Sequence, residues 1–185
     1  MERRTMLGLP LATLVGSTSL GEPAGAATPA TAGMVRAGSD HDGRPHRIGV
    51  SATTYKAVTR ETGGALFVVE QANQRRGGPP LHVHHGEDEL FYVLAGDYIV
   101  QVGDRRYPLG AGDCILGPRG VPHAWAFVGA GTGRLLLSYA PAGKMEAFFN
   151  AWEQLGFTPG GYSQEKDAAL LRSYGMERRG PPIVL

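Results

Sequence analysis

The stretch PPLHVHHGEDELFYVLAGD, residues 79–97, decides how the rest of the chain is read. It holds three of the chain's six histidines, His82, His84 and His85, followed at once by Gly86, Glu87, Asp88 and Glu89 and then by an apolar run. Side chains on a strand alternate between faces, so His82 and His84 point one way and Val83 the other. Two same-face imidazoles in a core would each need a polar partner or be costly to bury. A few ångströms apart, they can instead share one metal ion. A turn after His84 can fold Glu89 back beside them and add a carboxylate oxygen. Two imidazoles and a carboxylate suit a divalent first-row metal such as iron, manganese, cobalt, nickel or zinc, and nothing in the residues chooses among these. His85 and Glu87 are the competing ligands. His85 directly follows His84 and is expected to face out. Glu87 and Asp88 are expected to shape the turn.

Outward from this stretch the chain breaks into short runs rich in β-branched and aromatic residues, separated by Gly, Pro, Asp or Asn. They span residues 48–59, 65–72, 80–84, 89–96, 98–103, 114–118, 123–129 and 134–141. Such spacing predicts a β-sandwich or barrel. Residues 96–113 read as a pair of hairpin strands. After Pro141 the period changes. Met145, Phe148, Phe149 and Trp152 fall at helical spacing, with Gly156 as a C-terminal cap. A second helix is expected between an N-cap at Ser163 and a stop at Gly175. The aromatic stripe of the first helix reads as packing against the sheets rather than as a ligand site.

The chain has 185 residues, which suits one domain with a sizeable core. Lys plus Arg number 18 and Asp plus Glu 17, so charge gives no reason to expect nucleic acid or an anionic membrane as partner. Glycine at 28 and proline at 13 favour a turn-rich β protein. The single cysteine, Cys114, cannot staple the fold and is expected to be a small buried hydrophobe. Residues 1–32 carry Arg3 and Arg4, an apolar run and Ala-x-Ala sites in the order of an export signal, similar to a twin-arginine one. The apolar run is too short and too rich in Gly and Ser for a good membrane span, and none is expected in the mature chain. Residues 33–47 read as a flexible lead-in with His41 and His46 on the surface.

A second segment, GAGDCILGPRGVPHAWAF, puts Gly112, Pro118, Gly120 and His123 in a strand, tight turn, strand order. Alternation sets His123 and Trp125 on one face. Together the two segments resemble the paired motifs of the cupin superfamily. His82, His84, Glu89 and Gly96 fit the first motif, G-x5-H-x-H-x4-E-x6-G, with the opening glycine one residue out at Gly77 or two at Gly78. Gly112, Pro118, Gly120 and His123 fit the second, G-x5-P-x-G-x2-H-x3-N, with Phe127 in place of its final Asn.

The resemblance implies a mainly β cupin barrel (a double-stranded β-helix or jelly roll) over residues 48–141, with a two-helix extension over 142–185. It implies one divalent transition metal held by His82, His84, Glu89 and His123. Aromatic residues on the barrel strands, Phe91, Tyr92, Tyr98, Trp125, Phe127 and Tyr139, form the pool for a substrate pocket, although each taken singly reads as ordinary core. The tail, closing on YGMERRGPP, is similar to small single-cupin proteins resembling quercetin 2,3-dioxygenase. That implies a metal-dependent dioxygenase that cleaves a flavonol-like or phenolic aromatic, with Glu89 as general base and dioxygen as co-substrate. A cupin isomerase or cyclase without oxygen chemistry is the alternative. A homodimer is expected, as cupins often pair through edge strands.

Overall fold

The computed structural model describes residues 33–156 and 163–185. The export signal read in residues 1–32 lies outside them. In chain order the elements are β1 (His46–Ile48), β2 (Ser51–Ala57), α1 (Thr59–Thr62), β3 (Phe67–Asn73), β4 (Pro80–His84), β5 (Asp88–Ala95), β6 (Tyr98–Val102), β7 (Arg105–Leu109), β8 (Cys114–Gly117), β9 (His123–Phe127), β10 (Gly133–Ala140), α2 (Met145–Gly156), α3 (Gln164–Ser173) and β11 (Met176–Pro182). Two antiparallel sheets result, a six-stranded one in the order β1-β2-β3-β10-β5-β8 and a five-stranded one in the order β11-β4-β9-β6-β7. The sheets are not closed on one another, and their order is consistent with a jelly roll.

Alternation explains the layering. Along β10, Leu135, Leu137 and Tyr139 are buried while Arg134, Leu136 and Ser138 are less so; along β3, Phe67, Val69, Gln71 and Asn73 are buried. These rows meet Val100, Trp125 and Phe127 from the other sheet in one core. Full burial of Phe67, Phe91 and Leu137 contributes about 1.5–3 kcal/mol for each side chain.

The run predicted as one strand from Ile48 is a hairpin instead, because Gly49 takes a positive φ of 58° and turns the chain between β1 and β2. His46 is therefore not a surface residue. It is 4% exposed, its ring stacks on Tyr55 with centroids 4.1 Å apart, and its Nδ1 lies 3.0 Å from Glu153 Oε2. Cys114 is exposed, not buried, because it lies on the outward face of edge strand β8, opposite the exposed Tyr92 on β5.

The C-terminal elements form at the expected places. Ser163 caps α3 by accepting the Lys166 N–H at 3.2 Å. Gly175, with φ 79°, supplies the left-handed residue just past its end. The tail that follows is a strand, β11, and it pairs with the histidine-bearing β4, setting Met176 opposite His84 and Arg178 opposite His82.

Candidate metal centre

His82 and His84 project from β4, Glu89 from β5 and His123 from β9. The strands bring them together from both sheets: His82 is the register partner of His123, and Glu89 is that of Tyr139 on β10. Each of the four offers one ligand atom, and these atoms all lie within 4.8 Å of one another. All four side chains are buried, with His123 wholly so and His82 at 9% exposure.

The turns carrying the two motifs are stitched to one another. Gly120 N–H donates to His84 O at 2.7 Å. Asp88 accepts the backbone N–H of Arg119 at 2.8 Å and its guanidinium at 2.9 Å. Asp88 thus shapes the turn, as its position predicts. His85 faces out, with Glu177 as a distant ion-pair partner at 3.8 Å. Glu87 is buried, and its Oε2 lies 3.7 Å from His84 Nδ1, within ion-pair range and too long for a hydrogen bond. It ties the cluster to α2, because Lys144 N–H donates to its Oε1 at 3.4 Å. Gly143 makes that approach possible: its φ is 52°, and a Cβ there would overlap Glu87 Oε1.

The donor set fits a metal ion. His82 Nδ1–H donates to Pro80 O at 2.8 Å and His123 Nδ1–H to Val121 O at 2.9 Å. Both rings are thereby fixed with Nε2 left toward the cluster, the usual arrangement for ligating histidines. His84 is buried with neither ring nitrogen hydrogen-bonded. An orphaned imidazole of that kind, beside a carboxylate and two oriented imidazoles, is what a bound cation satisfies. Glu89 Oε2 lies 3.0 Å from His123 Nε2 and 3.4 Å from His84 Nε2, while Tyr139 Oη donates to Oε1 at 2.9 Å.

These groups perturb one another strongly. Burial, with some repulsion from His84 and His123, pushes His82 down to about 3. Burial also acts to lower His84, but the Glu87 and Glu89 carboxylates outweigh it and raise it to about 9. Glu89 is the reverse case: burial acts to raise it, and the His123 and His84 imidazoles hold it well below the usual carboxylate range. Burial and the Glu89 charge raise the Tyr139 hydroxyl well above 10.

A cavity of about 540 Å³ opens from the cluster, a size usual for small-molecule sites. Of the aromatic pool predicted on the strands, Trp125 and Tyr139 line it. Phe91, Tyr98 and Phe127 are core, and Tyr92 faces solvent at 36% exposure. The largest departure from expectation is α2. Met145, Phe148, Phe149 and Trp152 pack on the core, and they also form a wall of the cavity. Sequence periodicity cannot find this, since a helix facing a core and one facing a cavity carry the same apolar stripe. Gln71 on β3 and Met176 on β11 also line the cavity, and no motif signals either.

Residues 69–139 match the Cupin domain family. Among solved structures, a predicted oxalate decarboxylase from Thermotoga maritima has a TM-score of 0.54 at 19% identity, covering 58% of this chain and 98% of that one. KdgF from Halomonas sp. has a TM-score of 0.52 at 19% identity, covering 60% of this chain and 94% of that one. An RmlC-like cupin from Shewanella frigidimarina has a TM-score of 0.50 at 19% identity, covering 62% and 96%. At such identities the likeness is one of fold. No curated protein matches the sequence. Over residues 69–139 the chain is thus similar to the Cupin domain family, and it shares the fold of these solved structures.

Proposed function

We propose that the chain is a metal-dependent enzyme acting on a phenolic or enolic aromatic, with ring cleavage of a flavonol-like substrate by dioxygen as its reaction. The observation that carries this reading is the continuity of the buried His82, His84, Glu89 and His123 cluster with a cavity whose walls are largely apolar and aromatic. In this proposal His82, His84 and His123 hold one divalent ion through imidazole nitrogen, and Glu89 does so through Oε2. When bound, that ion supplies a Lewis acid that favours the deprotonated substrate oxygen and a centre for oxygen chemistry.

The chain's own residues do the rest. Glu89, the carboxylate of the cluster that lines the cavity, takes the phenolic or enolic proton. Tyr139 donates to Glu89 Oε1 and keeps the carboxylate in one orientation. Trp125 and Phe149 line the cavity beside a flat substrate, and the apolar wall from α2 excludes water. The proposal includes the pairing of two chains and export through the N-terminal signal. Among the described residues no helix is long and apolar enough to cross a membrane.

Oxygen uptake tests the reading. The protein is loaded separately with iron, manganese, cobalt, nickel or zinc and mixed with quercetin. Uptake with one of the metals, in step with loss of flavonol absorbance, supports a ring-cleaving dioxygenase. Consumption of a phenolic or enolic substrate without oxygen uptake replaces it with an isomerase or cyclase that uses Glu89 to move a proton.

A further inference from the structure

Gln71 breaks the apolar pattern on the inner face of β3. Two residues on, Asn73 is also buried and polar, but it is matched: its side-chain oxygen accepts from Ser51 Oγ, and its Nδ2 donates to Tyr98 Oη at 2.9 Å. Gln71 is not matched. It is 3% exposed, its Oε1 has no hydrogen-bond partner, and it lines the cavity. Its register partner on β2, Thr53, is fully buried with Oγ1 also unpartnered, so the two do not satisfy one another. A buried amide oxygen left this way is costly, and where it lines a cavity a ligand can satisfy it.

The position of Gln71 relative to the metal cluster is fixed by strand register. Gln71 pairs with Leu135 on β10, and Glu89 pairs with Tyr139 on the same strand. Those two β10 positions are four residues apart, about 13 Å along the strand. The inward residue between them, Leu137, lines the cavity, and Phe149 lines it from α2. Leu137 and Phe149 thus lie between the metal-binding end of the cavity and Gln71, the one amide side chain among the described residues that line it, while Arg47, Ser51, Glu153 and Asp167 are its other polar lining residues.

We propose that Gln71 is a specificity-determining residue that hydrogen-bonds a hydroxyl on the distal ring of an aromatic substrate whose other end lies at the His82, His84, Glu89 and His123 cluster. This rests on the reading of the cavity as a phenolic substrate site. A hydroxyl is the fitting group because it both donates and accepts, while the carboxamide can turn to present either oxygen or NH2. A ligand lacking it leaves Gln71 unpaired, and discrimination of that kind exceeds what apolar contacts give.

The chain's two tryptophans, Trp125 and Trp152, both line the cavity, so their fluorescence reports occupancy without turnover. The experiment titrates zinc-loaded protein, without oxygen, with 3-hydroxyflavone and with 3,4′-dihydroxyflavone. Wild type is expected to bind the second about tenfold more tightly. In Gln71→Met, which keeps the side chain's length, that preference disappears, 3-hydroxyflavone binds as in wild type, and the thermal midpoint rises because an unpaired buried amide is gone. Gln71→Leu serves if Gln71→Met does not fold, and the wild-type comparison stands without either. No preference in wild type, or a preference that persists in the variant, overturns the role of Gln71 and leaves the proposed function in place. Quenching by neither flavonol overturns both.

Discussion

Tyr139 and Glu89 face one another across the β10–β5 register, and the Tyr139 hydroxyl donates to Glu89 Oε1 at 2.9 Å. The other carboxylate oxygen, Oε2, is the one turned to His84 and His123. One oxygen is thus anchored and the other presented to the cluster. In Tyr139→Phe the ring and its packing against Phe67 and Phe149 remain and only the hydrogen bond goes. Metal affinity should fall about ten- to a hundredfold, as measured by competition with a chelator. Unchanged affinity would show that Glu89 needs no anchoring.

Removal of a ligand should act more severely. His84→Ala and His123→Ala each take one imidazole from the cluster, and metal content measured after loading should drop from one ion per chain to a small fraction. Circular dichroism should keep its β signature, because core residues such as Phe67, Val69 and Leu137 lie outside the cluster. Full metal content in both variants would place the ion elsewhere.

Metal should also stabilise the fold. An ion that binds the native chain and is present at a thousandfold over its dissociation constant adds about 4 kcal/mol. For a chain of this size that raises the thermal midpoint by about 10 °C. A chelator should reverse the shift. Equal midpoints with and without metal would contradict native-state binding at a buried site.

A separate prediction concerns the tie between β1 and α2. Glu153 is buried at 4% exposure and accepts from His46 Nδ1, the Arg44 guanidinium and the Arg47 backbone N–H. Burial acts to raise its pKa, but these bonds outweigh burial and hold it down at about 2. A carboxylate depressed in the folded state stabilises the fold fully above its unfolded value, about 4.5, and loses that contribution as pH falls toward 2. Urea unfolding should therefore show Glu153→Gln less stable than wild type by about 1–3 kcal/mol at pH 7, with the gap narrowing below pH 4.5. A gap independent of pH would mean that the charge on Glu153 contributes nothing.

Much of the cluster is legible in the amino-acid sequence, for a simple reason. A strand repeats every two residues, so His82 and His84 share a face whatever the fold, and a turn at Gly86 can return Glu89 to them. His123 is legible through the second motif. The features that escape a sequence reading depend on contacts distant along the chain. His46 sits on a strand of three residues, too short to show alternation, and its partner Glu153 is 107 residues away. Gln71 sits in an alternating strand where one polar residue gives no sign of facing a cavity. The sequence predicts the helix α2 and its apolar face, but its role as a cavity wall follows only from where the chain after Pro141 is laid. Cys114 departs from expectation because its short run gives no hint of which face of β8 turns outward.

Gly143 offers a check on how α2 is set against the cluster. Its positive φ and the close approach of Glu87 leave no room for a side chain. Gly143→Ala should cost about 1–3 kcal/mol in stability and should weaken metal binding through the displaced Glu87. A variant as stable as wild type would show that this junction is slack.

The proposed chemistry depends on one ion held by His82, His84, His123 and Glu89. X-ray absorption spectroscopy on the protein loaded with zinc or cobalt tests it most directly. Scattering from three imidazole rings together with oxygen ligands around a single metal is expected. A shell with no imidazole scattering, or with sulfur, would contradict it.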